Sequence, residues 1–204
     1  MAATPAVNHH ADYPSFAGIT GFLAGLTMIV GRGHVARLAV DLTSVSRGDH
    51  VVDVGCGPGT AAREAARRGA RVTGVDPALV MLQLARLLTP RRMSITWLPG
   101  AAEHLPVPDG SATVLWSIAT VHHWSDVERG LAQARRVLAP HGRLLAIERR
   151  VRAGASGLAS HGWTDEQAAA FAAQCRAAGF TDIRLATHHC PRRRSLLSVR
   201  ALRT

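Results

Sequence analysis

Residues 51–60 read VVDVGCGPGT, from Val51 to Thr60. The valine-rich run that contains Asp53 predicts a short buried strand, because β-branched residues favour strands. The three alternate glycines that follow predict a tight turn whose backbone a ligand can approach. Ligands of open parallel sheets bind at the carboxyl ends of the strands. This turn is therefore the first candidate binding site.

The rest of the chain alternates strand patterns with helical patterns, which is typical of βαβ units and a parallel sheet. Two consecutive strands without an intervening helix end it, and such neighbours must be antiparallel. The predicted strands are Val51–Val54, Arg71–Val75, Ser94–Leu98, Thr113–Ile118, Arg143–Glu148, Phe180–His189 and Ser195–Leu202. The predicted fold is α/β, a three-layer Rossmann-like sandwich whose mostly parallel seven-stranded sheet has a C-terminal antiparallel hairpin.

Residues 47–204 are predicted to form the core of a single domain, and residues 1–46 an N-terminal helical lid or cap. The uncharged run from Tyr13 to Gly31 is just long enough for a membrane span, which needs ~20 mainly apolar residues, but four glycines dilute it. No basic residue precedes this run, so it does not resemble a secretory signal. We expect no transmembrane span; peripheral membrane contact stays open as an alternative.

The chain has a large excess of basic residues. All 24 basic residues are Arg, 14 residues are acidic, and the net charge is +10. Such a charge raises the question of a nucleic-acid partner. The absence of Lys together with abundant Arg and Ala favours a GC-rich genome as the cause. We expect most arginines, Arg63 and Arg136 among them, on exposed helix faces interspersed with acids, and we expect no nucleic-acid partner.

The three cysteines are widely spaced and form no metal-ligand or disulfide pattern. We therefore expect a cytoplasmic protein without a metal. Cys56 lies inside the glycine turn, where we interpret it as a small packing residue and not as a nucleophile.

Asp76 directly follows the second predicted strand, and a carboxylate there can accept hydrogen bonds from both hydroxyls of a ribose. The glycines are spaced G-x-G-x-G, whereas a dinucleotide fingerprint is G-x-G-x-x-G. An acid at Asp53 disfavours a pyrophosphate and suits a cationic ligand end, such as an amino group or a sulfonium. A Walker loop is excluded because it needs a Lys. These residues predict a nucleoside-containing cofactor with a cationic end.

Four segments occur in order: DVGCGPG from Asp53, VTGVDP from Val72, LPGAAEHLPVPDGS from Leu98 and ARRVLAPHGRLL from Ala134. Together they resemble the class I S-adenosylmethionine-dependent methyltransferases. Within these, the chain is similar to the small-molecule branch (methyltransferase type 11 domain) that includes the ubiquinone and menaquinone C-methyltransferases. The resemblance is strong over residues 47–150, and the tail fits the family's final helix and strand pair.

The resemblance implies S-adenosylmethionine as cofactor, S-adenosylhomocysteine as product, and no metal. It assigns the methionine portion to the glycine turn and Asp53, the ribose to Asp76, and the sulfonium end to the residues after the fourth strand. The family's Asp after the third strand is replaced by Ala101. The implied cofactor residues are Asp53, Gly55, Cys56, Gly57, Gly59, Asp76, Pro77, Met81, Ala101, Ala102, Glu103, Ser117, Ile118 and Ala119.

Methyl transfer from a sulfonium needs alignment more than chemical assistance. A base helps only where the acceptor must lose a proton. His122 and His123 follow the fourth strand and are the candidate catalytic residues, although one could cap the next helix while the other packs. Tyr13, Phe16 and Trp124 are the candidate substrate contacts.

The expected function is methyl transfer from S-adenosylmethionine to O, N or C of a small acceptor that is partly apolar or aromatic. One alternative is a nucleic-acid methyltransferase, but residues 117–120 read SIAT and lack the Pro-Pro-aromatic motif of amino-methylating enzymes. Another is a catalytically silent S-adenosylmethionine-binding protein. The oligomeric state, monomer or homodimer, stays open.

Overall fold

The computed structural model describes residues 33–189 and 195–204. One sheet holds seven strands in the order β3-β2-β1-β4-β5-β7-β6. The strands are β1 His50–Val54, β2 Arg71–Asp76, β3 Ile95–Pro99, β4 Ala112–Ile118, β5 Leu138–Arg149, β6 Phe180–His188 and β7 Leu196–Arg203. The helices are α1 Gly33–Thr43, α2 Thr60–Arg67, α3 Leu79–Leu87, α4 Val127–Val137 and α5 Asp165–Ala177.

β1 is at the centre of the parallel part of the sheet, and all five of its residues are buried. A parallel strand covered by helices on both faces is buried along its whole length, and three of its five residues are valine. The register pairs Val54 with Val75 of β2 and with Ser117 of β4. The carboxyl ends of β1, β2 and β4 are therefore level, and the residues that follow them share one edge of the sheet.

Apolar layers cover both faces of the sheet. On one face α1, α2 and α3 bury Val40, Ala62 and Leu82. On the other face α4 and α5 bury Leu131 and Phe171. Helix α1 belongs to the segment expected to form a lid or cap, and it packs directly on the sheet. The earlier part of that segment, with Tyr13 and Phe16, lies outside the described residues.

β7 inserts between β5 and β6 and pairs antiparallel with both. The fold class predicted from the sequence is thereby confirmed, including the C-terminal hairpin. A capping box begins α5, with Thr164 and Gln167 bonded reciprocally. In the part of the chain that the structure describes, no helix is long and apolar enough to cross a membrane.

Candidate functional site

The glycine turn after β1 is anchored to β2. The N–H groups of Gly55 and Cys56 both donate to the Val75 carbonyl, at 2.8 and 3.1 Å. Gly55 has φ +69°, and a Cβ there would lie 2.6 Å from the Thr120 side chain. Glycine is therefore required at this position by the loop after β4, which packs against the turn.

The other two glycines of the turn differ in their surroundings. Gly57 has φ +52°, and a Cβ built there would have no described atom within 4 Å. Gly59 has φ +78°, and its Cβ would lie 2.3 Å from Cη2 of Trp97. Gly57 thus presents backbone toward open space, where a ligand can approach. Gly59 is needed because the Trp97 indole packs against it.

Asp76 joins the end of β2 to this turn. The Gly57 N–H donates to Oδ2 of Asp76 at 2.8 Å, and the Ala78 N–H donates to Oδ1 at 2.9 Å. Burial raises the pKa of the Asp76 carboxyl, while these two hydrogen bonds oppose the rise. Each carboxylate oxygen retains a second lone pair, which is what a pair of ribose hydroxyls requires.

Asp53 is a buried acid that accepts a backbone hydrogen bond from Ala62 and has one unsatisfied oxygen. Asp53 is only 2% exposed, and its Oδ2 has no hydrogen-bond partner among residues 33–189 and 195–204. Burial, reinforced by the negative charge of Asp76, raises the pKa of Asp53 to about 7. A buried carboxylate is unfavourable unless a cation or donor accompanies it, so this site suits a cationic ligand group.

A small concavity opens beside Asp53. Its walls include Gly55 and Cys56 of the turn, Ile118 at the end of β4, and Val35 of α1. Helix α1 therefore contributes to the candidate site as well as to the core. Burial holds the pKa of the Cys56 thiol well above its usual range, which agrees with a packing role for this residue.

The predicted adenine side of the site lies next to Asp76. The Gly100 N–H donates to the Asp76 carbonyl at 3.3 Å, so Ala101 and Ala102 follow close by. Pro77 is exposed and Met81 is buried. The Glu103 carboxylate instead accepts hydrogen bonds from Ser125 Oγ at 2.9 Å and from the Asp126 N–H at 3.1 Å. Glu103 thus has a local role at the start of α4.

The loop after β4 turns sharply. Ser117 is fully buried and its Oγ lies 2.7 Å from Oγ1 of Thr120, which donates to the Val54 carbonyl at 3.0 Å. Ser117 therefore stabilises the loop through its contact with Thr120, whereas Ile118 lines the concavity. Ala119 has φ +56°, a conformation that is uncommon for residues other than glycine. The chain then enters the short 3-10 turn Val121–His123.

His122 at this turn is paired with an acid that the sequence analysis did not single out. Nδ1 of His122 lies 2.9 Å from Oε2 of Glu148, which is only 1% exposed. The sequence feature that could have identified Glu148 is its position, as an acid at the end of the fifth predicted strand. The ring of His161, from the loop after β5, lies with its centroid 5.4 Å from that of His122. This histidine was also missed.

Two expectations about individual residues need correction. Trp124 was expected to contact substrate, but it is 5% exposed and belongs to the core. Its ring packs against Phe171 and leaves no room for a Cβ at Gly130. Arg63 was expected on an exposed face, but it is buried and donates to the Pro58 carbonyl at 2.6 Å. Arg63 tolerates burial because its guanidinium has a hydrogen-bond partner in the backbone of the glycine turn.

The fold and the site define a class. A parallel sheet carries a G-x-G-x-G turn after β1, an acid at the end of β2 that is tied to this turn, and a buried acid within β1 with one unsatisfied oxygen. This is the arrangement that the resemblance to the class I methyltransferases implies. The chain matches the family described as methyltransferase domain over residues 52–146. That match confirms the resemblance drawn from the motifs.

The relatives agree with this class. The chain is 39% identical over 115 residues to a demethylmenaquinone methyltransferase of Tropheryma whipplei, covering 56% of this chain and 48% of that protein. It is 31% identical over 144 residues to a malonyl-[acyl-carrier protein] O-methyltransferase of Serratia marcescens, covering 71% of this chain and 54% of that protein. The chain thus spans about half the length of these curated relatives.

The fold is also found among solved structures. A SAM-dependent methyltransferase from Aquifex aeolicus superposes with a TM-score of 0.73 at 16% sequence identity, over 90% of this chain and 98% of that chain. At this identity the similarity concerns the fold. It matches the Rossmann-like sandwich predicted from the sequence.

Proposed function

We propose that the protein is an S-adenosylmethionine-dependent methyltransferase acting on O, N or C of a small organic acceptor that is partly apolar or aromatic. The observation that carries the proposal is the buried Asp53 carboxylate, whose Oδ2 has no hydrogen-bond partner among the described residues, beside a turn with open space at Gly57. The match to the methyltransferase domain and the methyltransferase relatives support both the enzyme class and the cofactor.

The cofactor residues fit the group that they are proposed to hold. Asp53 would compensate the ammonium of the methionine portion, and the backbone at Gly57 would approach the same portion. Asp76 would bind the ribose hydroxyls. Pro77 and Met81 would flank the adenine, with Ala101 and Ala102 contributing backbone contacts. When bound, the cofactor supplies an electrophilic methyl group and a neutral leaving group.

The acceptor is proposed to lie on the side of the concavity near Ile118 and Ala119. The two relatives named above act on a demethylmenaquinone and on malonyl-[acyl-carrier protein], which supports an organic acceptor and not a nucleic acid. Tyr13 and Phe16 stay proposed substrate contacts. The protein is proposed to work in the cytoplasm, and a monomer and a homodimer are both compatible with this site.

His122 is proposed to accept the acceptor's proton where one must be lost. An ionised Glu148 can only accept a hydrogen bond, so Nδ1 of His122 carries the hydrogen and Nε2 keeps its lone pair. The buried carboxylate also holds the ring in one orientation. Glu148 is in this view a positioning residue for His122. His123 is more exposed and is the second candidate for the same step.

Binding of S-adenosylhomocysteine, measured by titration calorimetry, tests the cofactor assignment. Asp76→Asn is expected to weaken binding at least about tenfold, since about 1.4 kcal/mol corresponds to tenfold in affinity. Asp109→Asn, at an exposed acid away from the turn, is the matched control. If the wild-type protein does not bind, or if Asp76→Asn binds as the wild type does, the assignment is wrong.

Transfer of a labelled methyl group to a panel of phenols, quinols, fatty acyl compounds and RNA tests the acceptor class. With a protic acceptor, His122→Ala is expected to lower kcat about 10²–10⁴-fold without changing S-adenosylhomocysteine affinity. Glu148→Gln should lower kcat with little change in KM. Binding without transfer to any acceptor would favour the silent binding protein, and transfer to RNA alone would contradict the small-molecule assignment.

A further inference from the structure

Three histidines from two separate loops meet beside the ends of β4 and β5. His122 and His123 come from the 3-10 turn after β4, and His161 comes from the loop after β5. The ring centroids of His122 and His123 are 4.0 Å apart, and His161 lies 5.4 and 5.5 Å from them. One nitrogen of each ring lies within 4.8 Å of the other two.

The position of His161 depends on the backbone next to it. Gly162 has φ +141°, and a Cβ there would lie 2.1 Å from the Arg149 carbonyl oxygen. The Trp163 N–H donates to that carbonyl at 2.9 Å, and the Val151 N–H donates to the Trp163 carbonyl at 2.8 Å. The loop is thus fastened to the end of β5, and this fastening holds His161 opposite the other two rings.

The Glu148 carboxylate gives the cluster a feature typical of metal sites. Histidines that bind metals usually donate their other ring N–H to a carboxylate or a carbonyl, which orients the ring and raises its basicity. Glu148 occupies that position on Nδ1 of His122, which assigns coordination of the ion to Nε2 in the proposed site. The carboxylate also supplies negative charge beside three neutral ligands.

We propose that His122, His123 and His161 bind a divalent transition-metal ion such as Zn²⁺ or Co²⁺. Imidazole nitrogens select Zn²⁺, Cu²⁺, Ni²⁺ and Co²⁺ over Mg²⁺ and Ca²⁺. Tetrahedral Zn–N bonds of about 2.0–2.1 Å place two ligand nitrogens about 3.4 Å apart. The ligand nitrogens of the three rings lie at most 4.8 Å apart, so the most distant two must approach each other by at most about 1.4 Å to bind the ion. Side-chain rotation at the exposed His123 and the half-buried His161 can supply this movement.

The metal site and the proposed methyl transfer both use Nε2 of His122. Nε2 cannot coordinate an ion and accept a proton at the same time. A bound ion therefore opposes the proposed proton transfer, and its removal restores it. Metal binding itself does not rest on the proposed function, because it needs neither the cofactor nor an acceptor.

Cobalt titration of the chelator-treated 204-residue chain tests the site. One Co²⁺ per chain is expected, with the visible absorption of a tetrahedral nitrogen-ligated ion that Zn²⁺ displaces. His161→Asn should weaken binding at least about tenfold, and Glu148→Gln should weaken it about 10–100-fold as for other partners of metal-binding histidines. His141→Asn is the matched control, because His141 is exposed and outside the cluster. A joint His9→Asn and His10→Asn variant measures any contribution from the start of the chain.

The inference is overturned if the wild-type protein binds no Co²⁺, or if His161→Asn binds as tightly as His141→Asn. It is also overturned if binding is lost only when His9 and His10 are replaced. Circular dichroism of each variant shows whether the fold is intact. S-adenosylhomocysteine binding by the metal-free wild type is measured in parallel. Cofactor binding without Co²⁺ binding rejects the metal site alone, and the reverse result rejects the proposed function alone.

Discussion

Alanine at Gly57 and at Gly59 should have different effects, although both glycines have positive φ in the same turn. A Cβ at Gly57 meets no described atom within 4 Å, whereas at Gly59 it lies 2.3 Å from the indole of Trp97. The indole cannot move aside easily, since Gly74 on β2 would also bring a Cβ to 2.3 Å from the same ring. Gly59→Ala therefore combines backbone strain with overpacking, and Gly57→Ala has the strain alone.

The left-handed conformation destabilises an alanine by about 1–2 kcal/mol at either position. Overpacking adds about 1–3 kcal/mol at Gly59 only. The free energy of unfolding should fall by about 1–2 kcal/mol in Gly57→Ala and by about 2–5 kcal/mol in Gly59→Ala. In a chain of this size 1 kcal/mol shifts Tm by about 2–4 °C, so the two variants should differ by about 2–12 °C.

Urea unfolding and calorimetric Tm values measure the difference. A double-mutant cycle with Trp97→Leu isolates the contact, because the penalty of Gly59→Ala should shrink when the indole is absent. Affinity for S-adenosylhomocysteine should show the opposite order. Gly57→Ala places its methyl in the proposed cofactor space and should weaken binding about tenfold, which is about 1.4 kcal/mol.

Three results would refute this reasoning. Equal losses of stability in the two variants would show that the indole does not restrict Gly59. An unchanged penalty of Gly59→Ala in the Trp97→Leu background would show the same. Unchanged cofactor affinity in Gly57→Ala would place the ligand elsewhere.

Further predictions concern charge, capping and the cofactor. Because the pKa of Asp53 is about 7 in the folded protein and near 3.8 in the unfolded chain, the folded state holds more protons between these values, so stability should fall as pH rises from about 4 to 7. Asp53→Asn should flatten that slope in urea unfolding at a series of pH values; an unchanged slope would contradict the assignment. Thr164→Ala should lower the free energy of unfolding by about 1 kcal/mol through loss of the α5 cap, with Gln167→Ala as the comparison, and no loss would mean that the cap contributes nothing. Ala101→Asp should tighten S-adenosylhomocysteine binding about 2–10-fold by adding one hydrogen bond, and weaker binding would show that the family's acid has no counterpart here.

The candidate site could be predicted from the sequence where its residues follow strands in order. The turn at Gly57 and the acid Asp76 could both be located this way, because parallel strands bring their carboxyl ends to one edge. The burial of Ser117 could not be inferred, since it depends on the hydroxyl of Thr120 folding back beneath the loop. Trp124 was expected to contact substrate because it follows His122 and His123 after β4. Its position in the sequence is the same whether the ring faces the crevice or packs in the core, so only the structure distinguishes the two.

By itself the sequence determined the α/β class, the seven strands and the C-terminal hairpin, since hydrophobic periodicity and glycine turns act locally. It also determined the cofactor class, because the G-x-G-x-G turn and Asp76 stand at the carboxyl ends of consecutive strands, which a parallel sheet brings together. Only the tertiary structure decided that Glu148 orients His122 and that His161 joins the same cluster. These contacts connect residues that lie 26 positions apart or more, and their side chains meet only when β5 pairs with β4.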